Sequence, residues 1–207
     1  DKSGKGNDFT FIGSPVFRNN GFSLNGSSQA IINTGLDTAV TDLTHFVVSD
    51  SIDLTGGWKY LSSFTSESRS PWSDSRTFAF AKRNSQSEMV VLHNRNTGTP
   101  ITFPAHTGNL DFFGVDVTGT TMNTYANGSA SSTTTISNAA INVNKMALGR
   151  HSATSSNEYL KYNVHEVLLF NKVLTLTERQ QVEGYLAHKW GMASKLPSTH
   201  PYKNSAP

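Results

Sequence analysis

One stretch near the end, Tyr162 to Gly191, constrains the fold most: YNVHEVLLFNKVLTLTERQQVEGYLAHKWG. Val164 to Phe170 is short, apolar and rich in Val and Leu, which is how a strand buried on both faces reads. Asn171 and Lys172 interrupt it. Thr175 and Glu178 then make a T-x-x-E capping box, each side chain satisfying a backbone N–H that the first helical turn leaves unpaired. Thr177 with Gln180 fits the same template, so the start of the helix is open by about two positions. Val182, Tyr185, Leu186 and Trp190 fall at i, i+3, i+4 and i+8, predicting one apolar helix face. Gly191 follows where a left-handed residue ends a helix. The spacing predicts a helix over 175–191 that seals a body made of sheet.

Upstream, brief β-prone runs alternate with turn signals. Phe9 to Ile12, Phe22 with Leu24, Gln29 to Asn33, and Thr44 to Asp53 read as strands. So do Trp58 to Thr65, Arg76 to Arg83, Glu88 to His93 and Lys145 to Gly149. Phe113, Val115 and Val117 alternate with Gly114, Asp116 and Thr118, predicting one dry and one wet face, and Asp111 and Asp116 are expected on the solvated side. Met122 to Tyr125 and Ser129 to Ile136 flank Asn127-Gly128, a strong hairpin signal because both residues tolerate positive φ. Roughly eleven to thirteen short strands at 8–12-residue spacing predict an all-β fold: a two-sheet antiparallel β-sandwich with one short C-terminal helix. The single convincing helix comes last, which disfavours βαβ architecture, and no internal repeat is present. The reading is one domain over 1–207, with an opening loop at 1–8 and an extended tail at 192–207 anchored by Leu196 and Tyr202. The turn-like start at Asp1 predicts a piece excised from a longer chain.

Composition narrows the function. Charged residues make up 15% of the chain, against about 25% in a typical domain; Ser, Thr, Asn and Gly replace them. Net charge is +2 and Lys82-Arg83 is the only adjacent basic pair, so no basic stripe suits nucleic acid. With no cysteine, disulfides, thiolate metal sites and Cys nucleophiles are excluded. No apolar run of about 18 residues exists to form a membrane span.

Several segments together resemble the laminin G-like, concanavalin A-like jelly roll, in the version of phage and marine bacterial surface proteins. They are DKSGKGNDF (1–9), FSLNGSSQAI (22–31), TYANGS (124–129), ALGR (147–150), and the end from HEVLLF (165–170) through LPSTHPYKNSAP (196–207). The resemblance implies two face-to-face antiparallel sheets. It also implies a strand ahead of the DKSG segment, either cut off here or supplied by another chain segment. It implies an extracellular, cell-surface or virion location, and calcium by analogy in some members. The fold alone does not decide function.

Enzymatic relatives on this fold carry an E-x-D-x-x-E strand with closely spaced carboxylates. None of Glu67, Glu88, Glu158, Glu166, Glu178 or Glu183 sits in that pattern, and no G-x-S-x-G elbow is present. The expectation is a non-catalytic module, with Glu166 a structural acid paired to a backbone or basic group. Loop acids open to calcium are Asp37, Asp42, Asp50, Asp53 and Asp74, but no D-x-D-x-D run joins them, and no cofactor is required. The sharpest positive reading is glycan binding. An aromatic ring stacks under a sugar while amides and charges read its hydroxyls. Trp72 lies in a Ser-rich loop with Asp74 and Arg76 nearby in sequence, and the loop 93–98 adds His93, Asn94, Arg95 and Asn96. Trp58 and Tyr60 read as packing residues, and Trp190 as core. The sequons at Asn25 and Asn127 sit on turn signals, which account for them. The expected function is recognition of a glycan or polysaccharide on a phage particle or bacterial surface. The alternative is a structural decoration or assembly domain whose partners are neighbouring protein subunits.

Overall fold

The computed structural model describes residues 4–36, 39–53, 55–65, 78–82, 89–93, 101–102, 109–136, 141–152 and 158–207. In chain order the strands are β1 (Thr10–Ile12), β2 (Val16–Arg18), β3 (Gly21–Asn25), β4 (Ala30–Asn33), β5 (Ala39–Val40) and β6 (Asp42–Asp50). There follow β7 (Lys59–Thr65), β8 (Phe78–Lys82), β9 (Met89–His93), β10 (Ile101–Thr102) and β11 (Asp111–Thr118). The last are β12 (Thr121–Ala126), β13 (Ser129–Thr135), β14 (Ile141–Asn142), β15 (Lys145–Leu148) and β16 (Lys161–Phe170). Helix α1 (Leu176–Lys189) and a 3-10 turn (Ala193–Lys195) complete the chain.

Two seven-stranded antiparallel sheets stack as a jelly-roll sandwich, in the orders β1-β4-β15-β7-β8-β9-β10 and β13-β12-β11-β6-β16-β3-β2. Strand alternation builds the main core between them. Leu43 and Val47 of β6, Phe113, Val115 and Val117 of β11, and Phe64, Phe78 and Phe80 of the facing sheet are all buried there. The strands that the sequence reading did not pick out, β2, β5, β10 and β14, are two or three residues long, too short for periodicity to register.

Helix α1 adds a third layer on the outer face of the second sheet. Phe46 and Val48 of β6 and Phe112 of β11 meet Leu174, Leu186 and Ala187 in a second core. Its start is as expected: the Thr175 side chain accepts from the Glu178 N–H, and the Glu178 carboxylate accepts from the Thr175 N–H. Gly191 ends it at φ 70.

Four expectations are corrected. The face under α1 is not wet: Asp111 and Asp116 are buried, because α1 and the tail roof that side of the sheet. The helix is also rotated from its apolar stripe. Glu183, Gly184, Leu186 and Ala187 go inside, Tyr185 is 41% exposed and Trp190 is half-buried rather than core. Glu183 can occupy the inside because Arg179 Nη1 donates to its Oε1 at 2.7 Å and His200 Nε2 lies 3.2 Å from its Oε2. The strand Val164 to Phe170 is not closed on both faces; His165 to Phe170 are half-buried. The tail is not extended but runs through turns, although Leu196 is buried as expected and Tyr202 packs over Gly184.

Candidate functional site

Pairing in the first sheet fixes where the two predicted binding segments attach. Phe64 of β7 pairs with Phe78 of β8, and Phe78 pairs with His93 of β9. The segments 66–77 and 94–100 therefore join the sheet at the same end of three neighbouring strands. Strands lie about 4.8 Å apart, so the attachment points fall within about 10 Å of one another. His93 is the last residue of β9. Trp72, Asp74, Arg76, Asn94, Arg95 and Asn96 lie outside the described residues. Trp58 and Tyr60 behave as packing residues: Tyr60 is 1% exposed, in a small cluster with Ala79 and Ala81 against which Trp58 packs.

A second feature was not anticipated. Beside β16 an open cavity of about 820 Å³ runs between the sheets. Val167 and Leu169 form one wall, Ile31, Met146 and Leu148 the other, and Phe9, Phe11 and Phe22 also line it. At its rim Glu166 gathers donors from α1. Tyr185 Oη donates at 2.8 Å, Lys189 Nζ at 2.9 Å and Trp190 Nε1 at 2.6 Å. This is the structural role expected of Glu166. Burial works against the Lys189 charge, but hydrogen bonds to Tyr185 and Glu166 outweigh it and raise its pKa. The Trp190 ring lies 5.1 Å from His165, whose Nε2 is 3.0 Å from Asp50 Oδ2. Burial favours the neutral Asp50 carboxyl, yet hydrogen bonds from Ser51, His165 and Asn163 prevail and hold it below the ordinary value. His165 Nδ1 is buried without a partner, facing Gly21, where an added Cβ would lie 2.5 Å from it. Only the helix spacing of Tyr185, Lys189 and Trp190 hinted at this rim in the sequence.

Of the acids open to calcium, Asp42, Asp50 and Asp53 are described. Calcium takes six to eight oxygens, and these carboxylates are already bonded within the fold. Asp50 accepts from Asn163 and faces His165. Asp53 accepts from Thr55 and lies 3.5 Å from Lys59 Nζ. Asp42, on β6 rather than in a loop, accepts from Thr41 and the Gly119 N–H. Asp37 and Asp74 lie outside the described residues. Among the described residues no group of three His, Asp or Glu is placed to hold a metal, and no helix is long and apolar enough to cross a membrane. Glu166, Glu178 and Glu183 are each ion-paired. Both sequon asparagines serve turns. Asn25 Oδ1 accepts from the N–H groups of Ser27 and Ser28. Asn127, at φ 50, donates to Asp111 and accepts from the Phe112 N–H.

No family model matches the sequence, and no curated protein matches it. Solved structures do share its architecture. The binding domain of botulinum neurotoxin serotype C1 superposes with a TM-score of 0.64 at 12% identity, over 86% of this chain and 47% of that one. A botulinum neurotoxin type C structure, concerned with interaction with two ganglioside molecules, gives 0.62 at 10% identity over 86% and 46%. The sialidase of Trypanosoma rangeli, in complex with 2,3-difluorosialic acid, gives 0.58 at 12% identity over 81% and 28%. The chain thus spans less than half the length of the structures it resembles, and what these likenesses show is the β-sandwich fold.

Proposed function

We propose that the chain is a non-catalytic, laminin G-like recognition module that binds carbohydrate on the surface of a phage particle or bacterial cell. The observation that carries this reading is the register of Phe64, Phe78 and His93. It brings the attachment points of 66–77, with Trp72, Asp74 and Arg76, beside those of 94–100, with Asn94, Arg95 and Asn96. In this reading Trp72 supplies an indole for stacking, and the polar residues of the two segments supply amides and charges for hydroxyls. The ganglioside interaction named for one of the similar toxin structures supports the same class of ligand. The test is retention on a broad glycan array. Wild type binds, and Trp72→Ala loses retention while its melting temperature stays within about 2 °C, as a surface change does. A wild type that retains no glycan overturns the proposal.

A second reading, a module that contacts protein subunits, is favoured by one observation: Phe11, Val16 and Phe17 are 51%, 44% and 62% exposed. Self-association of the wild type, abolished by Phe17→Ser, supports that reading.

A further inference from the structure

We propose that Lys195 and Asn127 condense to a side-chain amide, a covalent cross-link that ties the segment after α1 to the sheet and releases one ammonia. The 207 residues contain no cysteine, so no disulfide among them can hold that segment against the sheet it roofs. At the seam two other side chains converge on one carboxylate oxygen. Lys195 Nζ donates to Asp111 Oδ1 at 2.5 Å. Asn127 Nδ2 donates to the same Oδ1 at 2.9 Å. An amine, an amide and a carboxylate bridging them are the parts an amide exchange needs: nucleophile, electrophile and proton carrier.

Each part is fixed by its surroundings. Asn127, at φ 50, turns its side chain back on β11. Its backbone N–H donates to the Phe112 carbonyl at 3.0 Å, and its Oδ1 accepts from the Phe112 N–H at 3.0 Å. The second bond sets a donor on the oxygen that gains charge when Cγ is attacked. Asp111 opens β11 and is 8% exposed. Lys195 ends the 3-10 turn, between the buried Met192 and Leu196, and its Nζ also donates to the Leu110 carbonyl at 2.5 Å. Leu196 covers the hairpin turn as well: a Cβ on Gly128 would lie 2.8 Å from Leu196 Cδ2. Holding the amine and the amide against one oxygen removes the entropic cost that keeps lysine and asparagine from reacting in solution. The Lys195 side chain keeps 31% of its surface in solvent, which leaves ammonia a way out.

The step balances without an oxidant or co-reactant. Asp111 takes one proton from the Nζ ammonium, and the freed electron pair attacks Cγ of Asn127. The Nζ–Cγ bond forms as charge collects on Oδ1. Asp111 passes its proton to Nδ2 and takes a second from Nζ. The carbonyl re-forms, the Cγ–Nδ2 bond breaks, and the departing ammonia removes the second proton as ammonium. Nζ keeps one hydrogen, and Asp111 is again a carboxylate.

The test is the intact mass of the purified 207-residue protein after incubation, folded, at neutral pH. The expected mass is that of the sequence less one ammonia, and digestion should yield a branched peptide joining the stretches around 127 and 195. An Asn-Gly pair can also lose ammonia by closing a succinimide on its own backbone, so two variants separate the routes. Lys195→Arg keeps the charge beside Asp111 but lacks the amine nucleophile, and Asp111→Ala lacks the proton carrier. Each is expected to show its full sequence mass and no branched peptide. Full mass in the wild type overturns the proposal. So does an ammonia loss that survives Lys195→Arg, or one that yields no branched peptide. If Asp111→Ala does not fold, the wild-type branched peptide and Lys195→Arg decide the matter between them. None of these masses depends on whether the protein binds a glycan.

Discussion

His45 of β6 and Ser62 of β7 meet across the sandwich, Nε2 to Oγ at 3.0 Å, with both residues fully buried. The other ring nitrogen, Nδ1, lies 3.0 Å from the Leu168 carbonyl. A carbonyl only accepts, so Nδ1 carries the proton and Nε2 accepts from the Ser62 hydroxyl. The imidazole is neutral, and burial lowers its pKa from 6.5 to about 4, only partly opposed by the bond to Leu168. The unfolded chain takes up this proton near pH 6.5, the folded one only near 4. Stability from His45 is therefore complete above pH 6.5 and falls as pH drops toward 4, by about 1.4 kcal/mol per pH unit and about 3 kcal/mol in all. Denaturant midpoints at pH 7 and pH 4.5 measure it, and His45→Gln should flatten the slope. An unchanged slope in that variant would mean another group carries the effect.

The capping box adds a separate acid dependence. Hydrogen bonds from Lys172 and then Thr175 lower the Glu178 pKa from 4.5 to about 2. Because the folded value is depressed, its contribution is present above pH 4.5 and is lost as pH falls through 2. Thr175→Ala removes the side-chain acceptor for the Glu178 N–H and should cost about 1 kcal/mol at neutral pH. Thermal melts should also show a smaller fall between pH 5 and pH 2.5 than in wild type, since part of the box is already gone.

Local signals were legible in the sequence and non-local ones were not. The Thr175–Glu178 box and Gly191 are each decided within a few residues, and α1 begins and ends where they predict. The β11 alternation correctly placed Phe113, Val115 and Val117 inside. It misjudged Asp116, because nothing nearby in sequence says that a helix sixty residues later will cover that face. There Asp116 accepts from Tyr125 Oη at 2.6 Å, and the Arg179 guanidinium lies 3.9 Å above the Tyr125 ring. Polar residues of the sheet and helix satisfy one another, so no hydrophobic pattern marks the contact. The two candidate binding segments read as polar loops, but only the β7–β8–β9 register puts their ends together. The cavity beside β16 was invisible for the same reason. It exists because β3 stops at Gly21, which is a property of pairing and not of composition.

The Glu166 cluster predicts a graded response. Trp190→Phe keeps the ring against His165 but deletes the 2.6 Å donor. Lys189 and Tyr185 remain bonded to the carboxylate, so the loss should be about 1 kcal/mol, or about 2–4 °C in melting temperature for a chain of this size. Glu166→Leu leaves the indole N–H without its acceptor and should cost more. A Trp190→Phe variant as unstable as Glu166→Leu would show that the indole bond holds the seam by itself.

Gly184 sets two effects of similar size against each other. It lies in the interior of α1, where alanine is favoured over glycine by about 1 kcal/mol. Yet a Cβ there would lie 2.6 Å from Tyr202 Cβ and 2.8 Å from its Cγ. The nearest atom is bonded directly to the Tyr202 backbone, so a change of rotamer cannot relieve the contact and the tail must shift. Overpacking of this kind costs about 1–3 kcal/mol, enough to outweigh the propensity gain. Displacing the tail also strains the His188 Nε2 contact to the Tyr202 carbonyl at 2.8 Å and the His200 contact to Glu183 at 3.2 Å. Gly184→Ala should therefore lower the melting temperature and speed proteolysis within 197–207. In a Tyr202→Gly background the clash is absent, and the same substitution should raise the melting temperature. If its sign is the same in both backgrounds, Tyr202 is not what requires glycine at position 184.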